Sequence, residues 1–131
     1  MTDHSDPETQ STAFRDAMSI LDAWQVPFDE QAGYLGLPQD LRRRDYNKYR
    51  LGMRRPDTGE VYERSRLINR IHDATLTLFP FSEDAANLWV QVPLRPFGGK
   101  SALDMMRLYG LRGMRQVDLA LDNQYDPLLG G

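Results

Sequence analysis

The stretch Pro93–Met106, PLRPFGGKSALDMM, decides which fold this chain can adopt. Glycines followed by Lys-Ser end a phosphate-binding loop, and such a loop would bring an α/β fold with it. The complete pattern is G-x-x-x-x-G-K-[ST] directly after a strand. Here Leu94 stands five positions before Gly99, and the segment ahead of it reads as helix. Gly98 and Gly99 therefore relieve crowding where the chain bends sharply between helices. Ser101 with Asp104 three residues on has the form of a capping box. The helix it opens runs to about Tyr109, where Gly110 stops it.

Helical spacing extends outward in both directions. Ala13, Phe14, Ala17, Met18, Leu21 and Trp24 recur at i, i+3, i+4, i+7 intervals behind Ser11 as N-cap, and Pro27 closes that segment. A second helix fits Phe28 to Leu35, with Asp29 and Glu30 in its first turn and Gly36 at its end. Pro38 suits the first turn of a third helix, from about Gln39 to Arg50. Gly52 and Pro56 break the chain after it. Asp57-Thr58-Gly59-Glu60 reads as another capping box. It opens the longest helix, with Val61, Arg64, Leu67, Ile68, Ile71, Thr75 and Leu78 on one stripe and Pro80 as the stop. Ser82 opens a helix through Leu88, Trp89 and Val92, and a last one covers about Gly113 to Leu121. Period-2 alternation is absent. The expected class is all-α, with about seven short helices.

The chain has 131 residues, of which 40% are hydrophobic, enough for one ordinary packed domain or two very small ones. It has no cysteine. Disulfides, thiolate zinc sites and a cysteine nucleophile are excluded, and a reducing cytosol fits. No apolar run reaches the roughly 18–20 residues of a membrane span. The opening MTDHSDPETQ is acidic and polar, unlike a signal peptide, and reads as a disordered lead-in over 1–10. A cytoplasmic location without membrane association is expected.

Net charge is −3, which weighs against wholesale nucleic-acid binding, but the charge is uneven. From Arg42 to Arg55 there are seven basic residues against one acid, whereas the chain before Leu41 has one base, Arg15, and eight acids. Ala32 and Gly36 have the small-residue and turn spacing of a helix-turn-helix. Region 11–56 is thus expected to be a helix-turn-helix-like DNA-binding subdomain. Gln39, Arg42, Arg43, Arg44, Tyr46, Asn47, Lys48 and Arg50 are its candidate DNA contacts, side-chain types that meet phosphates and base edges. A solvated helix face with no nucleic-acid role is the competing reading of the same residues.

The remaining half carries ERSRLINRIHDATLTLFP, then AANLWVQVP with Trp89 and Pro93, then RPFGGKSALDMMRLYG, then GMRQVDLALDNQ. In that order these features resemble the antitoxins of the Xre/MbcA/ParS toxin-binding family, although Ala102 stands where proline is common in the family. The resemblance implies a type II antitoxin without catalytic function or cofactor. Its partner would be a RES-domain toxin that consumes NAD or transfers ADP-ribose from it. The complex would bind its own promoter DNA, as a homodimer or a higher hetero-oligomer with the toxin. Residues 57–131 would then be a small helical toxin-binding domain with a C-terminal tail, joined to the first subdomain by the long central helix. Phe97, Gly98, Gly99, Lys100, Met105, Tyr109 and Arg112 are its candidate toxin contacts, together with the tail residues Tyr125, Leu128, Leu129, Gly130 and Gly131. Aromatics and methionine suit interface cores, and Leu128 and Leu129 have no later element to bury them. Trp89, Leu103, Met106 and Val117 read as core.

Enzyme readings fail on residues. His4 lies in the lead-in, His72 sits on the long helix without a second histidine near it, and Glu83-Asp84 are helix N-terminal charges. No metal site is expected. Two non-antitoxin readings stay open: a stand-alone helix-turn-helix transcription regulator, and a helical protein-binding adaptor without nucleic acid.

Overall fold

The computed structural model describes residues 7–38, 40–56 and 58–124, with backbone only at 123 and 124. Among these residues there are six α-helices and no strand: α1 Pro7–Ala23, α2 Phe28–Leu35, α3 Arg43–Arg50, α4 Gly59–Leu78, α5 Glu83–Trp89 and α6 Ala102–Gln124. A single 3-10 turn covers Arg95–Phe97. The expected all-α class holds. The chain divides into two compact units between Asn69 and Arg70, a boundary that falls inside α4.

In the first unit, α1 starts at Pro7 rather than behind Ser11. Proline is preorganised for a first turn and Glu8 beside it favours the dipole, so the helix begins earlier than Ser11 suggests. Phe14, Ala17, Met18 and Leu21 bury the inner face. The helix ends before Pro27, because Gln25 takes the left-handed conformation (φ 62°) and Val26 N–H donates to Leu21 O at 3.0 Å. Helix α2 matches its expected bounds. Gly36 closes it at φ 77°, and Leu37 N–H returns to Ala32 O at 3.0 Å. Arg64 of α4 completes this cap, donating to Gly33 O at 3.2 Å and, at 3.4 Å, to Tyr34 O. At Gly36 glycine is needed for φ, and a Cβ at this position would stand 2.9 Å from Cδ and Nε of Arg64, so it would also push that side chain away.

Helix α3 begins at Arg43, not near Gln39. Asp40, Leu41 and Arg42 are outside it, and Gln39 lies beyond the described residues, as does Asp57 of the expected capping box before α4. What fixes α3 is a buried amide. The Gln31 side chain is 2% exposed; its Nε2 donates to Asp22 Oδ1 (2.8 Å) and Val26 O (3.1 Å), and its Oε1 accepts the Tyr46 hydroxyl at 2.7 Å. Arg50 Nη2 closes the network on Asp22 Oδ1 at 2.6 Å. Tyr49 adds an edge-to-face contact with Phe14, ring centres 6.0 Å apart.

In the second unit, Ser82 caps α5 by accepting from Ala85 N–H at 3.1 Å. Arg70 of α4 forks onto Asp118 of α6, both oxygens at 3.3 Å from its Nε. Helix α6 is two arms, since Gly110 has φ 58°, ψ −133° and breaks the helical path, as its reading as a stop requires. Gly113 then packs so closely on the first arm that a Cβ there would overlap the Met105 carbonyl oxygen. Met106, Met114, Val117 and Leu121 of the two arms are buried, as are Ala86 of α5 and Val90 just after it.

Two outcomes follow. Gly113→Ala must force the arms apart; overpacking of this kind costs about 1–3 kcal/mol, and the thermal midpoint by circular dichroism should fall by several degrees. An unchanged midpoint would mean the arms do not meet at Gly113. In the first unit, burial pushes the Asp22 carboxyl up, but hydrogen bonds from Arg50 and Gln31 and the charge of Arg50 outweigh it and hold it below its ordinary 3.8. A lowered folded pKa stabilises above the ordinary value and is lost as pH falls through the folded one. The stability gap between wild type and Asp22→Asn, from urea midpoints, should thus narrow below about pH 4.

Candidate functional site

The segment that decides the fold also builds a concavity of the second unit. Leu94 and Lys100 pair as an isolated antiparallel bridge, Leu94 N–H donating to Lys100 O at 3.1 Å. Gly98 (φ 65°) and Gly99 (φ 85°) turn the chain between them. Every backbone donor that a phosphate loop would offer is used internally. Gly98 N–H goes to Arg95 O (2.9 Å), Gly99 N–H to Leu94 O (3.0 Å), Lys100 N–H to Phe97 O (3.2 Å) and Ser101 N–H to Asp104 Oδ2 (3.2 Å). The return bond from Asp104 N–H to Ser101 Oγ, at 3.0 Å, completes the expected capping box. The bonded Ser101 N–H first, and Arg107 second, hold the Asp104 carboxyl below its ordinary range.

Phe97 is tucked inward at 7% exposure and fixes this turn against α6. Between the turn and the two arms of α6 lies an open groove of about 510 Å³. Pro96, Phe97 and Lys100 line it from the turn, and Met105 and Tyr109 from the first arm. The second arm contributes Arg112, Gln116, Leu119 and Ala120. Tyr109 and Leu119 are open to solvent at 47% and 61%, while Met105 is buried as floor. Lys100 and Arg112 are not ion-paired among the described residues. The groove is therefore an apolar trough with two free cations, suited to a protein segment that offers apolar side chains and an acid.

Five residues expected from sequence to contact a partner converge here: Phe97, Lys100, Met105, Tyr109 and Arg112. Gly98 and Gly99 are exposed in the turn but do not line the groove. Tyr125, Leu128, Leu129, Gly130 and Gly131 lie outside the described residues. Gln116, Leu119 and Ala120 were missed, although they follow Arg112 by four, seven and eight residues, a spacing that puts them on one helix face. Trp89, expected as core, is 8% exposed and buried.

Comparison with known families gives this groove a context. Residues 75–125 match the family model of the antitoxin Xre/MbcA/ParS C-terminal toxin-binding domain. The matched segment contains the whole of the groove and supports an antitoxin role with a toxin as partner. No curated protein and no solved structure matches the chain. No described helix is long and apolar enough to cross a membrane.

In the first unit, the basic residues expected to meet DNA have divided uses. Tyr46 is 2% exposed and bonded to Gln31, with burial raising its hydroxyl pKa; it has no surface to offer a ligand. Arg50 is held by Asp22. Arg43 lies over the Phe28 ring at 4.6 Å yet stays exposed. Arg42, Arg44 and Asn47 are exposed, and Lys48 sits 3.9 Å from Asp45. The Gly36–Arg42 connection exceeds the roughly three- to four-residue turn of a helix-turn-helix.

The capping box sets the entry of α6 and with it the groove floor. Ser101→Ala should cost about 1 kcal/mol by urea unfolding, with Asp104→Asn smaller in the same direction. A Ser101→Ala protein as stable as wild type would show that the cap does not hold this helix.

Proposed function

We propose that this chain is an antitoxin that neutralises a RES-domain toxin through the groove between the Gly-Gly turn and the two arms of α6. The observation that carries this is the convergence of Phe97, Lys100, Met105, Tyr109 and Arg112 on one groove inside the matched segment. The tail from Tyr125 to Gly131 would continue from the second arm and enter the toxin's cofactor cleft. Its seven residues could span at most about 25 Å when extended. The chain would have no catalytic part of its own and would act in the cytoplasm, as a homodimer or a larger assembly with the toxin. Promoter binding would use the exposed cations Arg42, Arg43, Arg44 and Lys48 with Asn47 and Gln39, rather than Tyr46 or Arg50.

Co-expression with the product of the neighbouring gene, followed by pull-down and an NAD-consumption assay, tests the reading. Tyr109→Ala combined with Leu119→Arg should weaken capture at least about tenfold, as loss of a central aromatic contact does, and restore NAD consumption. The melting temperature should stay near wild type, because both side chains are exposed. Full neutralisation by the double variant would remove the groove from the interface.

A further inference from the structure

The first unit contains a second, smaller depression that neither the groove nor the α3 surface explains. It has about 140 Å³ and is lined by Arg15 from α1 and by Arg54 and Arg55 from the turn after α3. Phe14 and Tyr49 form its apolar wall, and Ser11 adds a hydroxyl. Gly52, at φ 74°, is what turns the chain back so that the last two cations of the basic segment meet Arg15. Arg15 is the only basic residue before Leu41, so this meeting joins distant parts of the sequence. Arg54 lies over the Tyr49 ring at 5.2 Å, which orients its guanidinium. Among the described residues no carboxylate lines the depression and the three arginines form no ion pair.

Three like charges brought together repel one another unless an anion balances them. Planar guanidinium groups match the paired oxygens of a phosphate and bind it through two parallel hydrogen bonds. The volume admits a phosphate group but not a nucleobase with its sugar. We infer that Arg15, Arg54 and Arg55 form a seat for a single phosphate group. The group would come from the backbone of a DNA duplex or from a small phosphorylated molecule.

The full chain, labelled with nitrogen-15, should be titrated with inorganic phosphate and separately with duplex DNA from its own upstream region. Saturable shifts at Ser11, Gly52 and Arg55 with phosphate are expected. They should weaken at least tenfold in the Arg15→Gln/Arg54→Gln/Arg55→Gln variant, or in Arg55→Gln alone if the triple variant does not fold. Duplex that moves the same resonances and is displaced by phosphate identifies the DNA backbone as the source. Phosphate acting there while duplex leaves the seat untouched identifies a free phosphorylated ligand, and duplex without effect anywhere counts against promoter binding alone. Neither ligand moving these resonances, or equal shifts in wild type and variant, would overturn the seat.

Discussion

The second unit rests on a missing side chain. The two arms of α6 can close on each other only because residue 113 is glycine, with the Met105 carbonyl oxygen where a Cβ would be. Gly110 supplies the reversal, at a φ and ψ that other residues rarely adopt. Together they set the distance between Met105 and Tyr109 on one arm and Arg112, Gln116 and Leu119 on the other. The groove is the outer face of that closure, and the buried seam of Met106, Met114 and Val117 is the inner one. The same backbone constraint thus creates both a core and a groove.

In the first unit the corresponding role falls to Gln31. Its amide joins the end of α1 to α2 and α3, and leaving such a buried group unpaired costs about 1–3 kcal/mol. The network divides the basic segment. Arg50 is drawn onto Asp22 and Tyr46 into the core, which leaves Arg42, Arg43, Arg44, Lys48, Arg54 and Arg55 on the surface. A run of cations that looks uniform in the sequence is therefore two populations, one that holds α3 and one that is available to a ligand.

Elements marked by local chemistry were legible in the sequence. The bounds of α2, the Ser82 cap, the Ser101–Asp104 box and the break at Gly110 each depend on a few adjacent residues whose backbone needs are specific. The start of α3 was not legible, because Pro38 offers a helix start that the chain does not use. The start of α1 was missed because an acidic, polar opening masked a good first turn at Pro7. Of the groove, Phe97, Met105 and Tyr109 stood out in the sequence as aromatic and methionine side chains of the kind that interface cores favour. The second arm did not, because Gln116 and Ala120 have no chemical signature apart from the face they share.

Within the groove the residues differ in what they do for the fold. Phe97 and Met105 are buried, so changing either alters the shape of the trough and the stability of α6 together. Tyr109, Leu119 and Arg112 are exposed at its rim, with Lys100 half-buried beside them. Substitution at the exposed rim should cost little folding energy, whereas substitution in the buried floor should cost more. If the groove takes the toxin as proposed, it could be retuned to a new partner through the rim alone, on an α6 turn that Gly110 and Gly113 keep constant.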